Sequence, residues 1–231
     1  MIRVMTVILA VLLALTAGSA VAQELMHYEG YTHNTSITPP GAVASSTGLV
    51  TALYPPLVYD FARFEYTYNL GRLTSMGSTT SDGIVFRTTY GVFGSFFDVF
   101  EDIDPTFPPG GTGGDARSTF YLCPSGLGGN EPAYTNGVLY LHGHFVSFST
   151  TYDVSTSQGT FVATVNWDSG KEVANGDLPA NRRGGWTFGG TTTSGFSCIP
   201  AGYDEALTGR MFQLTTPTNG QTWGSIRKLY R

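Results

Sequence analysis

The side chains of this sequence that could do chemistry are few and spaced apart. Asp98, Glu101, Asp102 and Asp104 form its densest acidic group. Calcium takes about six to eight oxygen ligands from carboxylate-rich loops, so Asp102-x-Asp104 beside Asp98 and Glu101 is a calcium candidate. The D-x-D-x-D-G spacing of an EF-hand is missing. Without a ligand, the same four acids are a solvated strand end. His142 and His144 stand two residues apart, which puts both rings on one side of a strand. Zinc needs about three or four ligands. His27 and His33, the remaining histidines, would have to complete the set; otherwise the pair marks a strand passing from core to rim. No other cofactor is expected.

Glycoside hydrolysis needs two carboxylates facing each other across a cleft. Glu65 is the candidate, with Glu172 or Glu205 as the second group. Glu65-Tyr66 resembles the nucleophile strand of small jelly-roll xylanases. Glu101-Asp102-Ile103-Asp104 resembles the E-x-D-x-E strand of laminarinase-like families, without its third carboxylate. Each resemblance covers fewer than about ten residues. There is no G-x-S-x-G and no H-E-x-x-H, so no nucleophile elbow or zinc-protease helix is expected. Ser125 has no identifiable base and is read as structural. Trp167, Trp186 and Trp223, with Tyr28, Tyr31, Tyr54 and Tyr59, could stack on sugar rings or pack a core. The sequence Asn34-Thr35-Ser36 is a glycosylation sequon.

The frame for these residues follows from composition and period. Of 231 residues, 41% are hydrophobic and only 13% charged, against about 25% charged in a typical soluble domain. The net charge of −5 argues against a nucleic-acid binder, which needs a basic face. Residues 1–22 read as a signal peptide: Arg3, an apolar run from Val4 to Leu15, then Ala20-Val21-Ala22, with cleavage expected before Gln23. The product is expected outside the cytoplasm, secreted, periplasmic or at the cell surface, with no membrane span in the mature chain. Cys123 and Cys198 are then expected to form one disulfide.

Beyond the leader, apolar residues alternate with period two. In Phe64–Leu70, Phe64, Tyr66, Tyr68 and Leu70 share one face and Glu65, Thr67 and Asn69 the other, wet one. Further strands are predicted at 48–54, 84–90, 93–100, 118–123, 138–152, 160–167, 185–188, 210–215 and 223–229. Asp82-Gly83, Asn136-Gly137, Asn175-Gly176 and Asn219-Gly220 supply turns. The pattern predicts an all-β chain: an antiparallel, jelly-roll-like β-sandwich over 48–231, preceded by an extension at 23–47 and carrying a long Pro/Gly loop at 104–117. The expected role is non-catalytic: an exported protein that binds a glycan, cell-surface polymer or partner, or is structural. The alternative is a jelly-roll glycoside hydrolase using Glu65.

Overall fold

A computed structural model describes residues 22–103, 134–195, 199–200 and 202–214. The leader, the 104–117 loop, Asp104, Ser125, both cysteines, Trp223 and the strands predicted at 118–123 and 223–229 lie outside these residues.

The chain is all-β, as the alternation requires. Its strands are β1 (Ala22–His33), β2 (Val43–Leu53), β3 (Phe64–Thr80), β4 (Val85–Gly91), β5 (Phe96–Ile103), β6 (Val138–Asp153), β7 (Gln158–Ser169), β8 (Trp186–Ser194) and β9 (Glu205–Leu214). A four-residue helix, α1 (Lys171–Ala174), and a 3₁₀ turn (Ala180–Arg182) lie between β7 and β8. The registers are antiparallel, from β1–β2 and β2–β3 through to β8–β9, and β9 returns to β1.

The predicted sandwich is therefore corrected: the strands close into an eight-stave barrel. β4 and β5 share one stave. β3 pairs β5 over Phe64–Gly71 and β4 over Thr74–Thr80. β6 pairs β5 near its start and β4 near its end. Between its two partners β3 passes through Arg72 at φ 59°. Alternation cannot distinguish the two architectures, because an inward and an outward face alternate in both. The segment read as an N-terminal extension, 23–47, supplies β1 and the start of β2.

Inward residues fill the bore. Tyr28 stacks on Phe188 with centroids 4.5 Å apart, and Tyr68 stacks on Phe97 at 5.7 Å. Phe97 also meets Phe145 and Trp167 edge-on, and Trp167 meets Trp186. Trp167 and Trp186 are thus core residues. The Trp186 indole N–H donates to the Arg182 carbonyl at 2.7 Å.

Two cross-strand glycine pairs make room for tyrosine hydroxyls. Gly30 faces Gly48, and a methyl on Gly30 would sit 2.2 Å from the Tyr68 hydroxyl. Gly190 faces Gly209, and a methyl on Gly209 would sit 2.2 Å from the Tyr28 hydroxyl. That hydroxyl donates to the Gly189 carbonyl at 2.9 Å. Glycine inside a strand marks such close approach.

Candidate functional site

Strand alternation decides where the candidate residues go. On β5, Phe97, Val99 and Glu101 point inward and Asp98 and Asp102 outward. The acidic quartet is split between two faces, with Asp104 outside the described residues. Asp98 Oδ1 lies 2.5 Å from His142 Nδ1, and Asp102 Oδ1 accepts from the Ile103 N–H. Burial raises the Asp98 pKa, against the lowering effect of His142.

The histidines do not converge either. His144 Nδ1 lies 2.6 Å from Asp168 Oδ2. Asp98 belongs to β5 and Asp168 to β7, on opposite flanks of β6, so the two carboxylates draw the rings apart. His27 pairs with Glu24, and His33 Nδ1 stands 2.9 Å from Asp204. Among the described residues, no three His, Cys, Asp or Glu are placed to hold a metal ion.

Glu65 is 3% exposed, so the face of β3 read as wet is covered. Its neighbour Thr67 is buried too and donates to the Tyr134 carbonyl at 2.9 Å. Of the proposed partners, Glu172 lies at one barrel end and Glu205 at the other.

One assembly of ionisable groups was not legible as a unit. It lies at the end of the bore under α1 and the 54–63 loop, and Glu101 is its centre. Tyr66 donates to Glu101 Oε2 at 2.8 Å and accepts from the Asp60 N–H. Lys171, the first residue of α1, pairs with Glu101 Oε1 and stands over the Phe64 ring. Glu172 Oε2 accepts from the Val58 N–H at 2.9 Å, and Tyr140 donates to the Val58 carbonyl at 2.9 Å. Burial pushes Tyr66 and Tyr140 well above the ordinary phenol range, so both stay neutral donors. The lysine compensates the Glu101 charge. Glu172 is pushed up by burial, with the backbone bond from Val58 opposing. Chemically, the cluster is a neutralised carboxylate beside a protonatable one, held by the loop that closes this end. Only 36% of the Lys171 side chain is exposed. The sequence signal was slight: Lys171-Glu172 follows a strand end and a Gly, and its partners are far away in the chain.

At the opposite end, Glu205 is wholly buried and burial raises its pKa, against hydrogen bonds from Thr35 and Thr192. The sequon Asn34 spends its side-chain amide on the Val43 carbonyl.

A pH dependence follows from Glu172. Its folded pKa lies above the ordinary glutamate value of 4.5, so the folded state holds the proton more tightly than the unfolded one. The stability due to this proton is complete below about pH 4.5 and declines as pH rises through the raised value. Urea unfolding between about pH 4 and 8 should show this decline, and Glu172→Gln should flatten it. An unchanged slope in the variant would remove Glu172 as the cause.

Among the described residues no helix is long and apolar enough to cross a membrane. Comparison with protein-family models, curated proteins and solved structures gives no significant match to this chain.

Proposed function

We propose that this is an exported, non-catalytic β-barrel protein that binds a glycan or a partner at the cell surface or outside the cell. The observation that carries the reading is the filled bore. Where aromatic rings occupy the interior of a barrel, recognition falls to the outer wall and the end loops. On that wall Phe93, in the break between β4 and β5, is fully exposed at 101%. Tyr59, on the loop that closes one end, is 43% exposed and packs against Phe61 at 5.5 Å. Flat aromatic faces of this kind suit the C–H faces of sugars. The leader-like residues 1–22 and the two cysteines support export.

The test pairs retention on insoluble cellulose, chitin and peptidoglycan with an assay for released reducing ends. Retention that drops in Phe93→Ala or Tyr59→Ala, without release, is expected. Release that disappears in Glu65→Gln would establish the hydrolase with Glu65. Release that disappears in Glu172→Gln would place the chemistry at the Glu101–Glu172 cluster. Neither release nor retention would leave the structural role.

Export also carries the disulfide. Reduction should raise the intact mass of the exported chain by about 2 Da, the two hydrogens of a Cys123–Cys198 bridge. Two alkylatable thiols before reduction would overturn it.

A further inference from the structure

On the outer wall of the barrel the strand registers bring one residue type into line. Thr151 of β6 pairs Thr160 of β7, Thr160 pairs Thr191 of β8, and Thr191 pairs Thr208 of β9. Paired residues point to the same face, and adjoining strands lie about 4.8 Å apart, so a row of threonines crosses the staves. Thr160, Thr191 and Thr208 are exposed and Thr151 is half-buried. In the next outward row Val162 pairs Gly189, and Gly189 pairs Arg210. Gly189 has no side chain, so the wall is lowered between its neighbours. On the far side of that row from the threonines stands Phe212 of β9, half-buried.

The depression is a groove of about 420 Å³, within the range of about 300–1,000 Å³ for small-molecule sites. Gly189 is its floor, Thr191 and Thr208 line one side and Phe212 the other, and His27 and Glu29 stand on the β1 side beyond Arg210. Each stave here is paired on both flanks, so the groove offers no free strand edge to an extended peptide. Its contacts must come from side chains. Threonine hydroxyls both donate and accept, the guanidinium donates and the carboxylate accepts. Threonine methyls and the Phe212 ring supply apolar surface between them. Arg210 Nε lies 3.5 Å from Glu24, and His27 pairs with the same carboxylate. With Glu29 beside them, the groove has no surplus positive charge to draw an anion. An uncharged chain that carries many hydroxyls and an apolar C–H face matches this lining, and that is a neutral polysaccharide.

We propose that the groove across β8, β9 and β1 binds a segment of a neutral polysaccharide. The segment lies across the strands, with ring hydroxyls on Thr191, Thr208 and Arg210 and a C–H face over Gly189 and against Phe212. The proposal rests on the reading of the outer wall as a glycan-binding surface and gives that surface a place and a ligand class.

The test is calorimetric titration of the full chain with cellohexaose, chitohexaose, xylohexaose and mannohexaose, and with hexagalacturonate as the acidic counterpart. One or more of the neutral saccharides should bind. Hexagalacturonate should bind more weakly, because Arg210 is already paired. Arg210→Ala should weaken binding about tenfold, as expected for a lost hydrogen bond to a charged group. Gly189→Val fills the floor and should abolish binding. Its Cβ comes no closer than 3.3 Å to a neighbour, the Phe161 carbonyl oxygen. Thr191→Val keeps the shape, removes one hydroxyl and should weaken binding measurably. Should Gly189→Val fail to fold, the other two variants decide. Thr79→Val, on the exposed face of β3 across the barrel, should bind as the parent does. Binding left intact by all three groove variants but reduced in Phe93→Ala or Tyr59→Ala would overturn the groove and leave the outer-wall reading standing. Preference for hexagalacturonate would overturn the neutral ligand class. No binding of any of the five saccharides would overturn the groove and the glycan reading together.

Discussion

Replacing Phe97 by alanine is expected to lower the unfolding free energy by about 3–5 kcal/mol, the range for removing a buried aromatic ring. Phe97 has no exposed surface. Its ring stacks on Tyr68 and takes edge contacts from Phe145, Trp167 and Phe188, the last at 5.0 Å. The cost falls at the upper end when a site cannot collapse around the cavity. Here the wall resists collapse, because Phe97 is paired on one side with Leu70 of β3 and on the other with Gly143 of β6. The aromatic neighbours are carried by strands locked in the same way. Urea unfolding should show a reduced midpoint with an unchanged slope. A loss under about 1 kcal/mol would mean that the bore is loosely packed.

Adding one methyl group should cost nearly as much as removing that ring. Gly209→Ala places its Cβ 2.2 Å from the Tyr28 hydroxyl and 2.5 Å from the Gly189 carbonyl oxygen. Neither can retreat cheaply. Tyr28 is stacked on Phe188, its hydroxyl is bonded to Gly189, and Gly189 is held in the β7–β8 and β8–β9 ladders. Overpacking of this kind costs about 1–3 kcal/mol, occasionally more, and contact with backbone on a closed wall puts Gly209 at the high end. Gly91→Ala is the control, since its nearest new contact is 3.6 Å. Tyr28→Phe in the Gly209→Ala background should recover part of the loss, because it removes the nearest clashing atom and leaves the ring carbon at 2.5 Å. A double-mutant cycle measures that coupling. Strict additivity would show that the hydroxyl is not what the glycine accommodates.

The alternation of Phe64, Tyr66, Tyr68 and Leu70 announced the inward face of β3, and β6 and β7 were legible as the strands predicted at 138–152 and 160–167. The extent of β3 was not. Gly71 and Arg72 look like an end, but the strand continues to Thr80 by exchanging one partner for another. Closure was illegible for a related reason. It depends on β1 meeting β9, and β1 hides its inward row, Met26-x-Tyr28-x-Gly30-x-Thr32, behind a glycine that serves Tyr68. The wet face assigned to Glu65 and Thr67 failed because alternation reports which residues share a face, not what covers that face. The two polar clusters were hidden by sequence distance. Glu101 meets Lys171 and Thr35 meets Glu205 only because the barrel brings the ends of distant staves together.

The packed bore is what the proposed function rests on, because it leaves recognition to the outer wall and the end loops. The most direct measurement is saturation binding of an environment-sensitive apolar fluorophore to the native chain, with a long-chain fatty acid as competitor. A packed bore predicts no saturable uptake and no competition, with the same outcome for the Phe93→Ala chain. Uptake of one fluorophore per chain, displaced by the fatty acid and altered by a substitution at Phe97 or Phe188, would contradict the account and make the interior a ligand chamber.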